Sequence, residues 1–319
     1  MNFIFIFILL LTTACAPLSP IEKPEPAYNH TTNTTSSDDL SDSLKIYVID
    51  VGQGDATLVL GPSGRTLLID SGPQESGQQS ILPLFNQLQI NHLSWILLTH
   101  YDADHIGGLS EVIRGNDQLL GTEDDFYPSY ALYDRGDETE KNTTTFQNYL
   151  EVAAPVRRTI TPQTQFDLGN GARARVIVVN GHYSDGTSIH LNPDEENESS
   201  IGVLIEYGDF KYFTAGDLSG GGSPGGFETK DIETHAGEII GDIDILHAGH
   251  HGSASSSNAH FLEVTQPENT LISVGLHNDY HHPAVATLQR LEEIHSEIFR
   301  TDEHGTIEVE TDGTHYTIK

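Results

Sequence analysis

Four groups able to ligate a metal stand within six residues, in the string His100-Tyr101-Asp102-Ala103-Asp104-His105. The apolar run Leu93 to Leu98 leads into this string, and it is too short for a helix and suited to a buried strand. Helical spacing at Ile106, Leu109, Val112 and Ile113 begins directly after it. The string therefore sits on a strand-to-helix connection. A turn of this kind points alternate side chains toward two adjacent centres, and imidazole with carboxylate suits divalent ions such as Zn²⁺ and Mn²⁺. The plain structural alternative is a polar turn in which Asp104 caps the helix at Ile106.

The same event, an apolar strand followed at once by His or Asp, recurs along the chain. Leu44 to Val51, Ala56 to Leu60 and Thr66 to Ile69 are expected strands, the last two joined through Gly61-Pro62-Ser63-Gly64. Ile81, Leu84, Phe85 and Leu88 have helical spacing, and Arg173 to Val179 is a further strand. Ile201 to Tyr207 and Phe210 to Ala215 flank Gly208-Asp209, a hairpin signal whose second strand delivers Asp217. Ile243 to Ala248 ends near His250, and Thr270 to Val274 ends near His282. Val285, Leu288, Leu291 and Ile294 give one more helix, and Thr306 to Glu310 pairs with His315 to Ile318 across Asp312-Gly313. Ligands collect at the carboxyl ends of strands in α/β proteins, so these points are expected to converge. Gly115 to Glu151 is acidic, Thr-rich and without a period; it is expected to be an insertion, a surface loop or a lid at the substrate rim.

Length admits one large α/β domain or two. With 47 acidic residues against 15 Lys and Arg and a net charge of −32, a broad basic surface for a polyanion is excluded. An anionic substrate must be held locally, and Arg157, Arg158, Arg173 and Arg175 form the one basic group in view. Phe3 to Leu11 is apolar but too short to span a bilayer, and Thr12-Thr13-Ala14-Cys15 after it resembles a lipoprotein lipobox, cut before an acylated Cys. Cys15 is the only cysteine, so no internal disulfide is expected. The expected organisation is residues 1–15 as lipoprotein signal with Cys15 as lipid attachment, 16–43 as flexible linker, and 44–319 as the folded domain. The expected location is exported and membrane-anchored through lipid alone, on a bacterial outer membrane or cell surface, with a periplasmic or secreted protein as the alternative.

The string from His100 to His105 resembles the HxHxDH motif of the metallo-β-lactamase superfamily, and Asp102 in it resembles the competence-protein (ComEC-like) branch. Val51-Gly52-Gln53-Gly54-Asp55, Ile69-Asp70-Ser71-Gly72, Asn197 with Ser200, Ala215-Gly216-Asp217, His250-His251-Gly252-Ser253, His282-Pro283 and Thr301-Asp302 with Gly305 are similar to that branch in the expected order. The resemblance covers about Leu44 to Lys319 and implies a four-layer αββα sandwich of the α/β class, with the site at one edge. It implies two divalent ions, with His100 and Asp102 on one, Asp104 and His105 on the other, and Asp217 bridging. His250 is the expected last ligand, with His251 in its place or on substrate. Asp55 and Asp70 are expected to orient ligand imidazoles. Asn197 and Ser200 occupy the stretch where the superfamily's third His ligand belongs, and His182 and His190 are weak substitutes. Asp104, His251 and His282 are the expected residues of the chemistry, His282 stabilising developing charge or protonating a leaving oxygen.

With an oxygen donor at Asp102, one centre is expected to favour Mn²⁺ over Zn²⁺. The branch implies a phosphodiesterase or nuclease acting on extracytoplasmic DNA. A hydrolase of a small ester, lactone or choline phosphoester is the alternative, and a non-catalytic surface-binding lipoprotein the third. No protein partner is evident.

Overall fold

A computed structural model describes residues 42–136, 142–192, 195–222 and 228–319. Cys15, the expected signal segment and residues 16–41 of the expected linker lie outside the described residues. In chain order the first half holds β1 (Leu44–Val48), β2 (Thr57–Leu60), β3 (Thr66–Ile69), α1 (Leu82–Gln87), β4 (Leu93–Leu97), α2 (Ala103–Ile106), α3 (Leu109–Ile113), β5 (Pro128–Asp134), α4 (Thr144–Ala153) and β6 (Arg157–Thr159). The second half holds β7 (Gln165–Gly169), β8 (Ala172–Val179), β9 (His182–Tyr183), β10 (Gly202–Tyr207), β11 (Phe210–Thr214), β12 (Gly220–Gly222), β13 (Thr229–Asp231), α5 (Glu233–Ile240), β14 (Ile245–His247), α6 (Ala259–Thr265), β15 (Asn269–Ile272), α7 (Val285–Glu293), β16 (Glu297–Arg300), α8 (Thr301–His304), β17 (Ile307–Thr311) and β18 (Tyr316–Ile318).

One sheet runs β18-β17-β1-β2-β3-β4-β5-β6, antiparallel as far as β3 and parallel beyond it. The other runs β16-β15-β14-β11-β10-β8-β7, parallel from β11 to β16. Parallel neighbours need a crossover, which explains why α1 to α7 fall where the strands turn parallel. α1 to α4 pack Phe85, Ile106, Val112 and Tyr149 on the outer face of the first sheet. α5 to α7 pack Ala236, Phe261 and Leu291 on the outer face of the second.

Between the sheets lie Ile46, Val48, Leu67 and Ile69 from one and Val176, Ile205, Tyr212 and Leu271 from the other. β1 shows the cause of the layering: Leu44, Ile46 and Val48 face inward, Tyr47 faces the helices, and both sets are buried. Strands covered on both faces appear in sequence as continuous apolar runs. Truncating a wholly buried side chain such as Leu67 to Ala is expected to cost about 2–5 kcal/mol. The architecture is the four-layer αββα sandwich that the sequence resemblance implies. Among the described residues no helix is long and apolar enough to cross a membrane.

Within Gly115 to Glu151, expected to be an inserted loop or lid, β5 and most of α4 are regular elements of the fold. β5 lies inside the first sheet between β4 and β6, and α4 covers it, with Thr143 capping the helix by accepting from Phe146 N at 3.2 Å. The period is hidden because Pro128, Ala131, Leu132 and Asp134 are buried while Ser129 and Tyr130 are exposed, which fits neither alternation nor a helical face. The expected helix cap also differs. Asp102 holds the N-cap position of α2, and it makes no side-chain capping bond there, while Asp104 lies in the first turn.

Candidate metal centre

Five strand ends deliver the site. β3 is followed by Asp70, β4 by Thr99 and His100, β11 by Asp217, β14 by His250 and His251, and β15 by Ser273. Two glycines permit the approach of these turns. Gly216 has φ +50 and a Cβ there would stand 2.4 Å from Thr99 Oγ1; a Cβ on Gly54 would stand 2.5 Å from the Asp104 carbonyl oxygen. The Gly54 turn is tied to the metal-ligand string by Asp55 N donating to that same carbonyl at 3.0 Å.

Three imidazoles are fixed through Nδ1. His105 Nδ1 donates to Asp70 Oδ2 at 2.9 Å, and His251 Nδ1 donates to the Ser273 carbonyl at 3.0 Å. Thr99 gives its hydroxyl proton to Asp70 Oδ2 at 2.6 Å and its amide proton to Oδ1 at 2.7 Å. Its oxygen is then left to accept from His100 Nδ1 at 3.1 Å. In each ring this leaves the Nε2 lone pair aimed into the site.

Those Nε2 atoms surround Asp217. Its Oδ1 lies 3.1 Å from His105 Nε2 and 3.7 Å from His251 Nε2, while Oδ2 lies 3.9 Å from His100 Nε2 and 3.6 Å from His250 Nε2. Asp104 Oδ2 is 3.3 Å from His251 Nε2, and Asp102 Oδ2 is 3.7 Å from His100 Nε2 with its side chain 44% exposed. Two adjacent histidines reach one carboxylate because both have left-handed backbones, φ 52 at His250 and φ 53 at His251. Both His250 and His251 therefore reach Asp217, each toward a different oxygen. The Nε2 atoms of His100, His105 and His251 and Oδ1 of Asp217 are buried without a hydrogen-bond partner. Buried polar atoms are rarely left so, and convergent lone pairs of this kind fit a divalent cation. The fold implies divalent metal binding, and the groups His100, His105, Asp217 and Asp104, His105, His251 have the compactness to supply it.

The charges around the site favour bound positive charge at its centre, from a proton or a metal ion. Burial, reinforced by His105, pushes His100 down to about 3. For His251 burial acts downward, but Asp217 and Asp104 outweigh it and lift the ring to about 9. His105 is likewise raised well above its ordinary value by Asp217 and Asp70 against the effect of burial. Asp217, despite a burial effect in the other direction, is held well below the usual carboxylate range by His105, His250 and His251. Asp70 is raised by burial, with His105 opposing.

The remaining expected residues spread around this cluster. Ser200 Oγ accepts from Asp217 N at 3.3 Å, and the Asn197 amide lies 3.4 Å from His250 Nε2. Asp55 Oδ1 faces His247 Nε2 at 3.2 Å. His282 packs against His250 with ring centroids 5.5 Å apart, and burial, followed by His250 and His251, pushes it down to about 4. Asp217, His250, His251, His282, Asn197 and Asp104 line a cleft of about 210 Å³, together with Asp102, Gln53 and Tyr280; neither His182 nor His190 does.

The basic group does not assemble. Arg157 pairs with Asp134 and donates to Tyr101 Oη, whereas Arg173 and Arg175 both pair with Glu206 on the second sheet. Sequence reasoning missed Thr99, His247, Ser273 and Tyr280. His247 carried the usable signal, since it too closes an apolar strand.

A family model described as the metallo-beta-lactamase superfamily matches residues 49–276. The chain is similar to ComE operon protein 3 of Bacillus subtilis, 27% identical over 287 residues that cover 84% of this chain and 33% of that protein. It is similar to competence protein ComA of Neisseria gonorrhoeae, 26% identical with 82% and 32% covered, and to recombination protein 2 of Haemophilus influenzae, 25% identical with 83% and 28% covered. The chain thus spans about a third of the length of these relatives.

Proposed function

We propose, from the premise that this chain belongs to the metallo-beta-lactamase superfamily and is a metal-dependent hydrolase, that it is a phosphodiesterase cleaving nucleic acid with two divalent ions. The observation that carries the reading is the division of Asp217, with imidazole Nε2 atoms on both of its oxygens. Asp104, His105, His251 and Oδ1 would hold one ion; His100, Asp102, His250 and Oδ2 would hold the other. His250 then stands in for the third His ligand that Asn197 and Ser200 do not provide. A divalent pair supplies a water-derived nucleophile at neutral pH and offsets charge on the attacking and leaving oxygens of an in-line displacement.

The protein's own part is positioning. Asp70, Thr99 and the Ser273 carbonyl hold three rings in one tautomer, so no reorganisation is needed at the moment of reaction. His282, on the cleft wall beside His250, would offer an N–H to a substrate oxygen. Among the described residues no Lys or Arg lines the cleft, so a bound phosphodiester would depend on the ions for its charge.

Nucleic acid is favoured over a small ester by the relatives, whose names are those of competence and recombination proteins. Protein stripped of metal and refilled with Mn²⁺ or Zn²⁺ should be assayed on a single-stranded oligonucleotide, bis-p-nitrophenyl phosphate and a lactone. Cleavage of both phosphodiesters is expected, faster with Mn²⁺ because Asp102 adds an oxygen donor. Lactone opening with inert phosphodiesters would overturn the reading. We propose also that the chain is exported and lipid-anchored at Cys15.

A further inference from the structure

The mouth of the cleft presents an aromatic ring that the hydrolytic chemistry leaves unused. Tyr280 lines the cleft beside His250, His251 and His282, yet it is 68% exposed. Of the six large apolar side chains exposed among the described residues, Tyr280 is the one that lines this cleft. The Tyr280 ring lies nearly parallel to His282, at 11° with centroids 5.8 Å apart.

Its segment is a fixed turn. Asn278 Nδ2 donates to the Gly275 carbonyl at 3.0 Å and to the His282 carbonyl at 2.7 Å, while Asn278 Oδ1 accepts from His282 N at 2.9 Å. Gly275 N in turn donates to Gln53 Oε1 at 3.2 Å. A ring presented this way costs little further ordering when a ligand covers it.

Charge decides what that ligand gains. With a net charge of −32 and no Lys or Arg among the described residues of the cleft wall, a run of phosphates releases few counterions on binding. Stacking on an aromatic face needs no cation and is worth roughly 5- to 150-fold in affinity per base. A base inside a duplex has both faces covered, whereas an unpaired base has one to offer. Resting on the phosphodiesterase reading above, we infer that Tyr280 is the platform for an unpaired nucleobase next to the scissile phosphodiester. The substrate is then single-stranded nucleic acid, held by stacking more than by phosphate contacts and tolerant of sequence.

The test is fluorescence anisotropy on the metal-loaded protein with a labelled oligothymidylate of phosphorothioate linkages and its counterpart with abasic sites. Wild type and Tyr280→Phe should bind the base-bearing strand about tenfold more tightly than the abasic one. Tyr280→Ala should lose that difference. Because the side chain is exposed, the Ala variant keeps its fold, which circular dichroism checks. Equal binding of the two strands by wild type, discrimination retained in Tyr280→Ala, or no binding of either strand would overturn the inference. Discrimination without cleavage of the natural oligonucleotide would leave the platform standing and sink the phosphodiesterase reading. Cleavage that is indifferent to Tyr280 would do the reverse.

Discussion

His250 and His251 are consecutive in the chain, yet their Nε2 atoms face different oxygens of Asp217, Oδ2 at 3.6 Å and Oδ1 at 3.7 Å. If each belongs to its own ion, His250→Ala and His251→Ala should each lose about one bound metal while keeping the fold. Elemental analysis beside circular dichroism measures both. A His250→Ala protein that keeps its full complement would show that His250 is not a ligand.

Asp70 is buried and takes three hydrogen bonds, two from Thr99 and one from His105. Asn at this position keeps one acceptor oxygen and turns a donor toward groups that are themselves donors. Asp70→Asn should therefore weaken metal affinity about 10- to 100-fold, the range typical of partners that orient a ligand imidazole. Chelator competition reads this out, and unchanged affinity would reject the orienting role.

Glu233, at the start of α5, is buried and pushed up to about 8, by burial first and then Asp231, against amide protons from Ser257 and Asn258. A carboxyl raised from 4.5 when folded adds stability below its unfolded value and loses it as pH rises through the folded one. Between about pH 5 and pH 8, wild type should lose on the order of a few kcal/mol relative to Glu233→Gln. Denaturant titrations at the two pH values decide it; parallel pH trends in the two proteins would contradict the assignment.

Cys15→Ser should leave hydrolysis and metal content intact and move the protein from the membrane fraction to the soluble one, because Pro17 to Ser43 has almost no apolar content to retain it. Membrane association that survives the substitution would reject the lipid anchor.

Much of this organisation was legible in the sequence because double-sided burial writes strands as apolar runs, and each run near the site ends in a polar residue with a task. The hairpin around Gly208-Asp209 and the terminal pair across Asp312-Gly313 follow from turn chemistry alone. β5 and α4 stayed hidden because burial in β5 follows neither period. The roles of His250 and His251 were not legible for a different reason. Adjacent side chains point apart in ordinary backbone, and only the left-handed conformation of both residues, which no sequence pattern announces, turns the two rings onto one carboxylate. Arg157, Arg173 and Arg175 looked like a patch because sequence counts charges without their partners.

The central claim is a pair of ions sharing Asp217, and metal stoichiometry tests it most directly. Protein purified without chelator, or stripped and refilled, should hold close to two divalent ions per chain, and Asp217→Ala should lower occupancy of both and abolish hydrolysis. A fully active protein with one ion or none, or an Asp217→Ala variant that keeps both ions, would contradict it.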